Sequence, residues 1–131
     1  MQNIRIQKEV KMSKENGVLD LVLKAEWFEK IKSGKKTIEY REVKKYWGER
    51  MFAKLPNYKT VFAEQIVDKV LFSKGYDRKE QMLFKIKKIE ILTSGIETDL
   101  KINKPVYAIH LGKQLNIVNW YKERKAKNER S

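Results

Sequence analysis

From Val18 the chain alternates with a period of two: Leu19, Leu21 and Leu23 fall on one side, and Asp20, Val22 and Lys24 on the other. That is the pattern of a half-buried strand. The period then changes. Across Ala25 to Gly34, Trp27, Phe28 and Ile31 gather on one side of a helix of about two turns, with Glu26 in the first turn, four residues before Lys30, and Lys32 near the end. Gly34 suits the left-handed position just past a helix. From Lys36 to Arg41 the alternation returns with β-branched and aromatic residues, predicting a strand with Thr37, Glu39 and Arg41 on one face and Lys36, Ile38 and Tyr40 on the other.

Residues 42–51 predict one or two short helical turns broken by Gly48, and Pro56-Asn57 marks a loop. Residues 58–74 read as strand material ending at Lys69–Ser73, followed by a turn at Lys74–Asp77. In the long strand that comes next, Met82, Phe84 and Ile86 keep one phase while Ile89 and Ile91 keep the opposite one. A slip of one residue at Lys87-Lys88 predicts a β-bulge. Val106–Leu111 predicts a last strand stopped by Gly112, and Ile117, Trp120 and Tyr121 mark an amphipathic helix running into a charged tail. The chain divides into a flexible leader at 1–17, a domain at 18–115 and a C-terminal helix or basic tail at 116–131. These elements predict an α+β domain built on a small, bulged β-barrel of about five to six strands with two or three short helices. Long crossover helices are absent from the pattern, which argues against a doubly wound parallel sheet.

Composition narrows the chemistry. The 131 residues include 30 Lys+Arg, 17 Asp+Glu, one His and no Cys, a net charge of +13. Without Cys there is no disulfide, thiolate zinc site, iron–sulfur cluster or Cys nucleophile, and His110 alone does not make a His-rich metal site. No metal or cofactor is called for. No apolar run approaches the roughly 20 residues of a membrane span, and the first 17 residues lack a signal-peptide core. A cytoplasmic protein without membrane partners is expected. The excess charge is spread evenly: residues 1–65 hold 15 basic and 9 acidic residues, and residues 66–131 hold 15 and 8. A field of this sign attracts polyanions, nucleic acid first among them.

The richest segment is Gly34 to Arg41, where a helix hands over to a strand bearing a hydroxyl, a carboxylate and a guanidinium in a row. On a groove, Arg41 offers a planar fork for phosphate or a base edge, Lys36 a point charge, and Glu39 an acceptor for an exocyclic amine or for Arg41 itself. Tyr40, Tyr46, Trp47, Tyr58, Tyr76 and Tyr107 are interleaved with Lys44, Lys45, Arg50 and Lys74. Rings that stack bases beside cations that hold phosphates are the mixture single-stranded RNA recognition uses. Tyr46, Trp47 and Tyr76, beside turns and basic residues, are the best stacking candidates, with Arg50 and Lys74 as their cations. His110 shares a strand face with Val106 and Ala108 and reads as a packed or groove-edge residue.

The same segment resembles the ASCH domain family. Its G-x-K-x-x-E-x-R signature is met at Gly34, Lys36, Glu39 and Arg41, after the Trp27-Phe28…Ile31 helix and before Val70–Tyr76 and Tyr107–Gly112. The resemblance spans residues 18 to about 115. It implies a PUA-like β-barrel that binds RNA or a nucleotide, with the signature residues lining a cleft beside the barrel. One branch of the family is similar to amidohydrolases that deacetylate N4-acetylcytidine with a Lys, a Thr and a Glu. Its lysine matches Lys36, but the position of its Thr holds Glu39 here; Thr37 is the nearest hydroxyl, and Glu80, Glu90 and Glu97 are candidates for the third member. On this alternative Lys36, Thr37 and Glu39 are catalytic. Metal-independent ribonuclease activity is the other enzymatic alternative that relatives imply.

Overall fold

The computed structural model describes residues 17–54 and 62–130. The leader at 1–16, the Pro56-Asn57 loop and the first residues of the 58–74 segment lie outside the described residues. Along the chain come β1 (Val18–Leu23), α1 (Ala25–Lys32), β2 (Ile38–Glu42), α2 (Lys45–Met51), β3 (Phe52–Lys54), β4 (Phe62–Gln65), β5 (Lys69–Lys74), β6 (Gln81–Leu92), β7 (Val106–Leu115) and α3 (Ile117–Arg130). Five strands form one curled half-barrel sheet in the order β1-β5-β6-β7-β2, and β3 pairs with β4 in a separate ribbon. The fold is therefore α+β with three helices. Among the described residues seven strands form two sheets, and the curled five-strand sheet with short helices agrees with the small bulged barrel that the pattern predicts.

The alternation at the start of the chain is explained by burial. Leu19, Leu21 and Leu23 face Val70 and Phe72 of β5 inside the curl, joined by Phe28 and Ile31 from α1, Met82 and Phe84 from β6, and Tyr107, Ile109 and Leu111 from β7. β1 runs parallel to β5, while β5–β6, β6–β7 and β7–β2 are antiparallel. The half-barrel's two edges are thus β1 and β2, and α1 connects them. On the outer face Leu71 and Leu83 are buried, α3 packs against β6, and the Tyr121 hydroxyl donates to Gln81 Oε1 at 3.1 Å.

Three local expectations change. α2 runs unbroken through Gly48, whose amide keeps its bond to the Lys44 carbonyl at 3.0 Å. Burial of Met51 at the helix end outweighs the ~1 kcal/mol propensity cost of an interior glycine. The last strand does not stop at Gly112 but continues to Leu115. Finally, the bulge expected at Lys87-Lys88 has a counterpart. Between the Phe84–Gln114 and Ile86–Leu111 pairs β7 has an extra residue, and between Ile86–Leu111 and Lys88–His110 β6 has one. Gly112 sits at the first of these compensating bulges, where an added Cβ would meet Lys85 and Lys87 at ordinary van der Waals distances of 3.4 to 3.5 Å. The net register is restored, so Ile89 again pairs with Ile109 across the core.

Candidate functional site

The end of α1 sets the site. Ser33 caps the helix, its amide bonding to the Glu29 carbonyl, and Gly34 takes φ +84°, the left-handed turn that its missing Cβ allows. The chain then folds back so that the Lys36 amide bonds to the Lys30 carbonyl. Lys36 therefore precedes β2 and does not belong to its alternation. Its ammonium stands 3.4 Å from Glu39 Oε1 and bonds to Asp99, with Trp27 and Tyr40 ring centroids 5.5 and 5.2 Å away. The expectation that Lys36 and Glu39 lie on opposite faces is overturned: a long side chain outside the pleat reaches round to the carboxylate.

Glu39 lies on the inner face of β2, paired in register with Ile109, and is only 6% exposed. A buried carboxylate needs partners, and it has two. Arg41 donates from Nε at 3.1 Å and from Nη2 at 2.9 Å, both to Oε2, while Lys36 takes Oε1. Arg41 in turn lies over Trp47, its guanidinium carbon 5.0 Å from the ring centroid. Tyr46 meets Trp47 edge to face at 4.7 Å, and the Arg50 guanidinium covers Tyr46 at 3.4 Å. A continuous train of contacts thus runs from Asp99 through Lys36, Glu39, Arg41, Trp47 and Tyr46 to Arg50.

This train borders a cleft of about 400 Å³, lined by Leu23, Lys24, Trp27, Glu39, Tyr40, Arg41, Glu42, Asp99, Leu100 and Ile102. It lies where the half-barrel is open: β1 contributes from one edge, β2 from the other, α1 from above, and the 93–105 connection closes the remaining side. That connection is pinned by the buried Thr98, whose hydroxyl bonds to the Gly95 carbonyl at 2.7 Å, and by the Gly95–Ile102 bridge. Gly95 is required there, because a Cβ would stand 2.6 Å from a methyl of Val106. Burial alone pushes the Tyr107 hydroxyl above its usual pKa.

The structure brings Lys36, Glu39, Tyr40 and Arg41 together, with Trp47 behind Arg41. It does not gather the rest. Tyr46 and Arg50 stack on each other outside the cleft lining, with Tyr46 52% exposed. Thr37 is exposed and lines no part of the cleft; its carbonyl accepts the Leu111 amide. Tyr76 is 88% exposed in the β5–β6 turn. Lys74 belongs to another cluster, donating to Glu29 at 2.7 Å and facing Glu80 at 3.5 Å, and its pKa is raised chiefly by the bond it donates to Glu29. Lys32 bonds Glu80 at 2.7 Å, which holds the Glu80 carboxyl below its usual range. That cluster fastens α1 to the β5–β6 hairpin.

Two partners escaped the pattern. Asp99, not Glu80, Glu90 or Glu97, is the acid that meets Lys36, and nothing within the turn-rich 93–105 stretch distinguishes it. Glu90 instead bonds His110 at 2.6 Å across the β6–β7 ladder, a pairing that sequence spacing hides because the bulges shift the register. Trp27, on the same helical stripe as Phe28 and Ile31, packs against the core and lines the cleft as well. No helix among the described residues is long and apolar enough to cross a membrane. No family model, curated protein or solved structure matches the chain.

Proposed function

We propose that this protein is an ASCH-type, PUA-like RNA-binding module of the cytoplasm that takes a nucleobase or nucleotide of its ligand into the cleft between β1 and β2. The observation carrying this reading is that Glu39 and Arg41, two residues of one short signature, line a hollow of about 400 Å³ walled by Trp27 and Tyr40, while Lys36 of the same signature pairs with the lining carboxylates of Glu39 and Asp99. A volume of that order lies in the range of small-molecule sites. Carboxylates match or exceed cations there: Lys24 and Arg41 line the cleft with Glu39, Glu42 and Asp99, and Lys36 pairs with Asp99 beside it. Such a balance suits a base that both donates and accepts better than it suits a phosphate, which three carboxylates would repel. Arg41 supplies donors along the edges Glu39 leaves free, and the carboxylates accept from exocyclic amines.

The test is titration of the protein with nucleosides and short single-stranded RNAs, followed by tryptophan fluorescence, since Trp27 lines the cleft. Saturable quenching that weakens at least about tenfold in Arg41→Ala supports the reading, a loss of the size expected for one charge-assisted contact. Absence of any saturable signal with all four nucleosides and with RNA refutes it. Incubation with N4-acetylcytidine addresses the hydrolytic alternative. Release of cytidine abolished by Lys36→Ala would replace a binding module with an enzyme; the cleft lining contains no Ser or Thr among the described residues, so the nucleophile would have to be water.

A further inference from the structure

Away from the cleft, the outer face of the sheet carries charge of a different kind. Val70, Phe84 and Ile86 point into the core, so alternation places Lys69 on β5 and Lys85 and Lys87 on β6 on the outside, and the bulge after the inward-facing Leu111 brings Lys113 of β7 to the same side. Lys69 is the register partner of Lys85. The two bulges set Gly112 and Lys113 opposite Lys85 and swing Lys87 outward. Lys85 Cβ and Lys87 Cγ each lie 3.5 Å from where a Gly112 Cβ would stand, so both stems run over this stretch of β7. Strands about 4.8 Å apart, and same-face residues about 6.7 Å apart, put four ammonium groups within mutual reach.

Several cations elsewhere are matched among the described residues, Lys32 and Lys74 with Glu80 and Glu29, Lys36 and Arg41 with Glu39, Arg78 with Asp20, Lys88 with Glu90, although single exposed lysines such as Lys35 and Lys79 are not. Here Lys69 has Asp68 at 3.2 Å, while Lys85, Lys87 and Lys113 have no acidic partner among the described residues. Like charges placed opposite one another in a sheet repel, and their field draws in a polyanion.

We propose that this outer face is a second, sequence-independent binding surface for the phosphate backbone of single-stranded nucleic acid. Lysine is depleted at protein–protein interfaces and is a common phosphate ligand of nucleic-acid binders. None of the exposed large apolar residues lies among the four lysines, so the face has nothing to insert into a bilayer. It uses different residues on the opposite side of the sheet from the cleft, and holds whether or not the cleft takes a base.

The experiment measures binding of a labelled 20-nucleotide uridine oligomer across a salt series by fluorescence anisotropy. For K85Q/K87Q/K113Q the log–log salt slope is expected to fall by about 2, about 0.7 per lost contact, with affinity at 0.1 M salt dropping on the order of tenfold. The control K35Q/K79Q/K125Q removes equal charge from exposed sites elsewhere and is expected to keep its affinity within about twofold. Near-UV circular dichroism verifies that each variant is folded, and K113Q alone is expected to lose about 0.7 of slope. Equal losses in the two triple variants, or no loss in the first, overturn the proposal. So does capture by phosphatidylserine vesicles without binding to the oligomer. Failure of the cleft reading would show separately, as nucleosides that do not quench.

Discussion

The cleft and the lysine row are built from the same residue types to opposite ends. In the cleft, every central charge is answered: Lys36 by Glu39 and Asp99, Glu39 by Arg41, and the Arg41 face by Trp47. On the outer face Lys85, Lys87 and Lys113 answer to no acid among the described residues. A chain at +13 has neutralised the place where side chains are fixed in position, and has left its excess where position matters little. Paired, partly buried charges cost desolvation and offer direction in return; unpaired surface charges offer long-range attraction that salt screens.

The comparison can be broken most severely from within the core. Phe28→Ala removes a fully buried ring that anchors α1, and a loss of about 3–5 kcal/mol is expected. Chemical denaturation checks this, and the variant that remains folded should lose ligand quenching before it loses salt-dependent binding to the oligomer. Next, Glu39→Gln leaves Lys36 and Arg41 with a weaker shared partner. We expect about 2–3 kcal/mol of destabilisation, measured the same way, together with loss of nucleoside binding. Gly95→Ala forces a shift against Val106 and the Ile102 carbonyl, costing about 1–3 kcal/mol; because the 93–105 connection carries Asp99 and Leu100, it should weaken nucleoside binding and spare the salt slope. K85Q/K87Q/K113Q should do the reverse, changing stability by no more than about 0.5 kcal/mol.

The smallest effect is that of pH on the Lys32–Glu80–Lys74–Glu29 cluster. The bond from Lys32 lowers the Glu80 pKa below 4.5, so its contribution is present above that value and is lost as pH falls through the folded-state pKa. Bonds to Glu80 and Glu29 raise the pKa of Lys32 and Lys74 above 10.5, so theirs is present below that value and is lost as pH rises through the folded-state pKa. Thermal melts should show a plateau between these limits, and Glu80→Gln should flatten only its acid edge. Nucleoside affinity should not follow either edge, since the cluster fastens α1 without entering the cleft.

Local rules determined much of this protein. Alternation at Leu19–Leu23, the Trp27/Phe28/Ile31 stripe, the glycine turn at Gly34 and the phase slip near Lys87 are each consequences of neighbours along the chain, because the periods of strand and helix are local geometry. Glu39 and Arg41 were legible for the same reason: two residues apart on a strand, they must share a face. What tertiary structure alone decided was partnership across distance. Asp99 reaches Lys36 over 63 residues, Glu90 reaches His110 across a bulged ladder, and Gly112 continues a strand it was expected to end. Those outcomes depend on how the sheet curls and where its register shifts, and each is a sum over many contacts that no short window of sequence contains.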